Sequence, residues 1–152
     1  MGEVTIRAAG AGEHAQISQL ALRSKGHWGY SPEFLEACRA ELTYDAATCG
    51  SGRMWVAATG VVVVGFVLLE GDPPDGELAA LFVDPPAIGA GLGRLLLSRG
   101  LDAARELGFR RLVLDADPGA EPFYLRQGAR RIGETPSGSI PGRVLPHLEF
   151  VL

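Results

Sequence analysis

The sequence predicts one α/β domain on a mixed sheet, with about six to seven strands and four helices. Three observations predict it. A β-rich run at 78–83 leads through a glycine-rich turn into a long amphipathic helix and then a second apolar run at 112–116, the order of a right-handed parallel βαβ unit. Two β-rich runs, 54–59 and 61–69, are broken only at Gly60 and read as a hairpin. Two amphipathic helical segments precede that hairpin.

Taken in order, residues 4–8 read as a first strand. A helix over 12–25 follows, with Ile17, Leu20 and Ala21 on one face. Ser31-Pro32-Glu33 opens a second helix, Ser as cap and Pro at the first position, with Phe34, Leu35, Cys38 and Leu42 as its buried stripe. After the hairpin, Asp72-Pro73-Pro74-Asp75-Gly76 is a turn cluster. Asp84-Pro85-Pro86 cannot continue a ladder, so the strand at 78–83 ends there. The helix over 91–107 places Arg94, Ser98, Asp102 and Glu106 on a polar face and turns Leu92, Leu95, Leu96, Leu101, Ala104 and Leu107 to the sheet. Asp117-Pro118 starts a short helix that ends at Gly128. Strands at 130–134 and 145–152 close the chain around a loop at 135–142 that is rich in Gly, Pro and Ser. No repeat or interior linker is visible.

A chain of 152 residues can bury its own core, and 47% apolar with 21% charged residues is an ordinary globular composition. The net charge of −4 and the scattered basic pairs Arg110-Arg111 and Arg130-Arg131 argue against a nucleic-acid partner. The longest apolar run, 61–69, is far shorter than the ~20 residues that span a bilayer, so no membrane partner is expected. With no basic region and apolar stretch at the N-terminus, a cytoplasmic protein is expected. Cys38 and Cys49 have no ligand spacing around them. Neither a metal nor a redox pair is expected, and Cys38 reads as a buried apolar thiol.

The chemistry concentrates in Gly89-Ala90-Gly91-Leu92-Gly93. A glycine turn that enters a helix presents backbone N–H groups and the positive end of the helix dipole, which together suit phosphate oxygens. A Cβ at these glycines could block close approach or strain the turn. The plain structural reading is a tight turn after Pro85-Pro86. A nucleotide-triphosphate loop would need Lys-Ser/Thr after the last glycine, and Arg94-Leu95 stands there. A dinucleotide-binding protein would need GxGxxG with an acid about twenty residues on. Asp115 or Asp117 could serve as that acid, but the glycine spacing differs and too little chain follows.

The run Leu81-Phe82-Val83-Asp84-Pro85 through Ile88-Gly89-Ala90-Gly91-Leu92-Gly93-Arg94-Leu95-Leu96 resembles motif A of the general-control-related N-acetyltransferases, the GNAT superfamily: a strand ending in Val-x-Pro, then Gln/Arg-x-x-Gly-x-Gly/Ala, then a helix. Asp117-Pro118-Gly119-Ala120-Glu121-Pro122-Phe123-Tyr124, followed by Gly128, resembles the family's second signature, Asn-x-x-Ala-x-x-Phe-Tyr. The likeness in element order covers essentially the whole chain. His27-Trp28-Gly29-Tyr30 and residues 137–143 are similar, less specifically, to a bacterial subset. Two departures stand out: Ile88 replaces the Gln or Arg at the head of the loop, where Arg94 could compensate, and Asp117 replaces Asn, where its carboxylate could accept from a pantetheine amide or simply cap the helix.

The resemblance implies a GNAT-like fold in which residues 1–152 form one acetyl-CoA-dependent N-acyltransferase domain. Its activity would be transfer of acetyl from acetyl-CoA, a co-substrate, to a primary amine by direct attack. Leu81, Phe82 and Val83, the loop Ile88 to Arg94, Asp117 and Phe123 would hold the cofactor, with Leu81 and Val83 pairing through their backbones. Tyr124 would be the acid that protonates the departing thiolate, or a packing aromatic beside Phe123. Family members often carry a Glu base on the strand before the loop. Ala79 and Ala80 occupy the matching interior positions here, which leaves Glu77 at the strand's start as base through water or as a solvated strand end. His27, Trp28 and Tyr30 would shape the acceptor site. Alternatively, His27 caps the first helix and Trp28 is core, and His147 carries the same ambiguity. The acceptor would be a small-molecule or peptide amine, and a homodimer is left open. A CoA-binding sensor or interaction module without strong catalysis is the alternative from another class, and a dinucleotide-binding protein a remote one.

Overall fold

The computed structural model describes residues 3–137 and 141–152. Residues 138–140 of the expected 135–142 loop lie outside the described residues. Among the described residues, seven strands hydrogen-bond in the order β1-β2-β3-β4-β5-β7-β6, and five α-helices accompany them. The chain divides into two compact units. One comprises the residues up to Leu69 together with Ala80–Gly100, the other Glu70–Ala79 with Leu101–Leu152. The elements β3, β4 and α4 contribute residues to both.

In the first unit β1 (Thr5–Ala8) runs antiparallel to β2 (Met54–Thr59), from Thr5↔Ala58 to Ala8↔Trp55. The strand β2 pairs in turn with β3 (Val62–Asp72), with a bulge between Ala57 and Ala58. Met54 through Ala58 are all buried, so β2 reads as a continuous apolar run instead of an alternating one. Helix α1 (His14–Gly26) buries Ile17, Leu20, Ala21 and Ser24, the 3,4-spaced stripe of an amphipathic helix. The hydroxyl of Ser31 caps α2 (Pro32–Cys38), accepting from the Phe34 N–H at 3.1 Å. That helix stops four residues short of the expected stripe, and Leu42 is buried from the turn beyond it. A four-residue helix, α3 (Ala46–Cys49), was not expected. Asp45 caps it by accepting from the Thr48 N–H at 2.7 Å, and it buries Cys49. Cys38 is buried as well. Phe66 is fully buried between the rings of Tyr44 and Phe82, at centroid distances of 5.3 and 5.6 Å.

In the second unit the expected turn cluster contracts to Pro73-Pro74, so that β4 (Asp75–Val83) begins three residues earlier than its apolar run. It pairs in parallel with β5 (Arg111–Asp115) through Asp75↔Arg111, Gly76↔Leu112 and Glu77↔Val113. A Cβ at Gly76 would lie 2.4 Å from the ring of buried Phe109, which explains the glycine. The strand β5 pairs antiparallel with β7 (Val144–Val151), and β7 with β6 (Arg130–Pro136). Leu112, Leu114, Leu148 and Phe150 are buried on one face of this ladder. The short helix expected from Asp117 is a 3-10 turn, Pro118–Ala120, followed by α5 (Glu121–Arg126).

Helix α4 (Leu92–Leu107) differs from the expected face. Leu92, Leu96, Leu97, Ala103 and Ala104 are buried, whereas Leu95 and Leu107 are exposed. A polar residue at every fourth position does not fix the buried stripe, because four residues advance the helix by 400°, 40° past a full turn.

Candidate functional site

The glycine loop belongs to the first unit. Asp84 ends β4: its N–H donates to Val64 O at 2.8 Å and its carbonyl accepts from Ala87 N–H at 2.8 Å, which starts the 3-10 turn Pro85–Ala87. Ala87 is buried and anchors the turn, while Ile88, Gly89, Ala90 and Gly91 are exposed. Gly89 has φ +93° and Gly91 φ +79°, and nothing lies within 4 Å of a Cβ built on either. Glycine is needed there for the backbone conformation, and the space above the loop is open. Gly93 instead lies in the first turn of α4. The sixteen-residue α4 starts at Leu92, and its first N–H groups have no partner within the helix. Together these features fit a pyrophosphate. Arg94 is exposed on that first turn, and Leu81, Phe82 and Val83 are half-buried on β4. At Gly65 of β3, an added Cβ would meet Leu96 of α4 at 2.8 Å and Phe82 O at 3.1 Å. That close packing fixes the helix behind the loop.

The segment after α1 is in the same unit. His27 caps α1 through its backbone N–H, which donates to Arg23 O and Ser24 O, both at 3.2 Å. Trp28 is 50% exposed, so it is not a core residue. Tyr30 packs on Phe34 at 4.3 Å between centroids, with Lys25 Nζ 5.1 Å from the Tyr30 ring centre.

The second unit carries Glu77, Asp117 and Tyr124. Tyr124 is buried in α5 with its ring edge-on to half-buried Phe123, at 5.2 Å, and burial pushes its phenol well above the usual range. Asp117 caps its 3-10 turn, Oδ1 accepting from Gly119 N–H at 3.0 Å, and Arg143 donates to Oδ2 at 3.3 Å. Glu77 is an exposed residue of β4, and its carboxyl is raised by partial burial first, then by Glu70 and Asp115, while His147 pulls the other way. His147 Nδ1 lies 2.7 Å from Asp115 Oδ1.

Among the pairings missed from the sequence are Asp115 with His147, Arg23 of α1 with Asp84, and Asp117 with Arg143. None has a local signal, since 32, 61 and 26 residues separate the partners. Among the described residues no group of three or more His, Cys, Asp or Glu is arranged to hold a metal, and no helix is long and apolar enough to cross a membrane.

A seven-stranded mixed sheet with a glycine loop entering α4 is the architecture of the acyl-CoA N-acyltransferases. The chain belongs to the GNAT acetyltransferase family, whose family model matches residues 14–129. No curated protein sequence matches it. The chain is similar to the PaiA N-acetyltransferase of Thermoplasma acidophilum in complex with coenzyme A, at 17% identity, TM-score 0.78 and 99% coverage of both chains. It is similar to a GCN5-related N-acetyltransferase of Rhodopseudomonas palustris, at 24% identity and TM-score 0.79, covering 100% of this chain and 98% of that one. YncA of Salmonella typhimurium with its cofactor acetyl-CoA matches at 23% identity and TM-score 0.68, covering 99% and 94%. These likenesses carry the fold.

Proposed function

We propose that this chain transfers an acetyl group from acetyl-CoA to a primary amine by direct attack, with residues 1–152 acting as one acyltransferase domain. The observation that carries the reading is the loop itself: Gly89 and Gly91 at positive φ, exposed and open above, at the N-terminus of α4. Bound acetyl-CoA would supply an activated thioester. The loop N–H groups from Ile88 to Gly93 would hold its phosphates, with Arg94 in place of the side chain that Ile88 lacks. The backbones of Leu81 and Val83 would hold its arm, and Phe82, Asp117 and Phe123 are the other motif residues that would bind it.

The amine must lose a proton and the thiolate must gain one. Tyr124 serves as the donor, because a phenol held protonated by burial stays a donor at neutral pH. Glu77 serves as the acceptor, because a raised carboxyl pKa brings a base closer to the working pH. His27, Trp28 and Tyr30 shape the acceptor site, and the exposure of Trp28 supports that role over a core role.

The test is a thermal shift with acetyl-CoA, NADH and ATP, followed by a thiol-release screen with pooled amines. A rise in melting temperature specific to acetyl-CoA with amine-dependent thiol release is expected. A shift without turnover would make the chain a CoA-binding sensor. A larger shift with NADH would favour the dinucleotide reading.

A further inference from the structure

The glycine loop has few supports of its own. From Asp84 to Ala90 its own bonds are a chain of short turns: Ala87 N–H to Asp84 O, Ile88 N–H to Pro85 O at 3.2 Å, and Ala90 N–H to Ala87 O at 3.4 Å, and at its far end Gly91 O accepts from Leu95 N–H of α4 at 3.2 Å. Glycine-containing turns of this kind lose much conformational entropy when they become fixed. All of these turns grow from Asp84, an extended residue before proline with φ −61° and ψ 133°.

The side chain of Asp84 does not cap the turn it precedes. Arg23, in the last turns of α1, grips it in a fork: Nε donates to Oδ1 at 3.1 Å and Nη2 to Oδ2 at 2.9 Å. The Asp84 side chain is only 16% exposed, against 48% for Arg23, so the carboxylate end of the pair is shielded from solvent. A bidentate guanidinium–carboxylate pair fixes angle as well as distance. Asp84 is thus held by three different elements: β3 through its N–H, the following turn through its carbonyl, and α1 through its carboxylate.

We propose that Arg23 is a positioning residue for the cofactor loop, acting through its fork on Asp84. The inference rests on the acetyltransferase reading. By narrowing the conformations open to the root of the loop, Arg23 raises the fraction of chains whose loop can take a pyrophosphate, and apparent affinity scales with that fraction.

The test measures acetyl-CoA binding by calorimetry, beside the melting temperature of the ligand-free protein, for wild type, Arg23→Met, Arg23→Lys and the reversed pair Arg23→Asp with Asp84→Arg. Arg23→Met should weaken binding about tenfold. Lys, a point charge without the fork, should fall between, and the reversed pair should restore binding to within about threefold. In turnover, KM for acetyl-CoA should rise while kcat at saturation stays within about twofold. Variants that melt lower yet bind acetyl-CoA as wild type does, or a reversed pair that folds without recovering affinity, would overturn the inference and leave the pair a structural brace. Wild-type protein that binds no acetyl-CoA would overturn the acetyltransferase reading itself, and this inference with it.

Discussion

His147 and Asp115 stand directly opposite each other in the β5–β7 ladder, with Nδ1 of the imidazole 2.7 Å from Oδ1 of the carboxylate. Both act on Glu77 of β4, in opposite directions. The register explains how. Glu77 is paired with Val113, so Asp115 lies two residues on along the same face of β5.

The first prediction follows from those signs. With an acceptor found in the amine screen, kcat/KM should rise with pH through a carboxylate pKa above the ordinary Glu value. Asp115→Asn removes a charge that raises this pKa, so the limb should move to lower pH. His147→Gln removes a group that lowers it and should move the limb upward. Glu77→Gln should abolish the limb and reduce kcat by about 10² to 10⁴. A Glu77→Gln enzyme with the wild-type rate and pH profile would mean that the base lies elsewhere.

The second prediction concerns the loop. Gly91→Val puts a β-branched side chain at φ +79°, where the protein leaves room but the backbone does not suit it. The ligand-free protein should fold and lose about 1 to 3 kcal/mol of stability from backbone strain. Its melting temperature should no longer respond to acetyl-CoA. A full thermal shift in this variant would place the cofactor elsewhere.

The elements legible in the sequence are those whose signals are local. The glycine loop, the Ser31 cap and the Asp117 cap are written in adjacent residues, and the structure has each of them, the last on a 3-10 turn. What could not be read was decided by tertiary contacts. Leu95 and Leu97 are equally apolar, and only packing against the sheet chooses Leu97 for burial. The α3 turn at 46–49 has no apolar period over four residues, so only its Asp45 cap could have marked it. In the candidate site, the residue types of the two motifs were visible. The partners of Asp84 and of Asp115, Arg23 and His147, come from distant helices and strands.

Tyr124 gives the third prediction. Its burial keeps the phenol protonated across any practical assay range, so the pH profile should contain no limb that belongs to it. Tyr124→Phe keeps the ring that packs in α5 beside Phe123 and removes only the hydroxyl. Acetyl-CoA affinity and melting temperature should stay close to wild type while kcat falls by about 10² to 10⁴. A variant that loses stability but keeps full activity per folded molecule would make Tyr124 a packing residue alone.

The last prediction tests the charged face of the second unit. Glu149 of β7 is only 4% exposed, and it accepts from Arg111 Nε and Arg130 Nε. Those bonds, Arg111 first, hold its carboxyl below the ordinary Glu range. A carboxyl whose pKa is lower in the folded than in the unfolded chain contributes stability that is fully present above the unfolded value and lost as pH falls through the folded one. The melting temperature should therefore be flat near neutrality and fall through the acid carboxylate range. Glu149→Gln should melt lower at neutral pH, by roughly 5 °C or more, since it leaves two guanidinium groups facing a neutral amide. Its acid-side slope should also be shallower, because one of the groups that must take up a proton is gone. Arg130→Gln should cost less, because the Arg130 side chain is 71% exposed and Arg111 still pairs with the carboxylate. Melting curves recorded between about pH 3 and pH 8 would check all three. A Glu149→Gln protein that tracks wild type across that range would mean that the buried carboxylate contributes nothing to holding β5, β7 and β6 together.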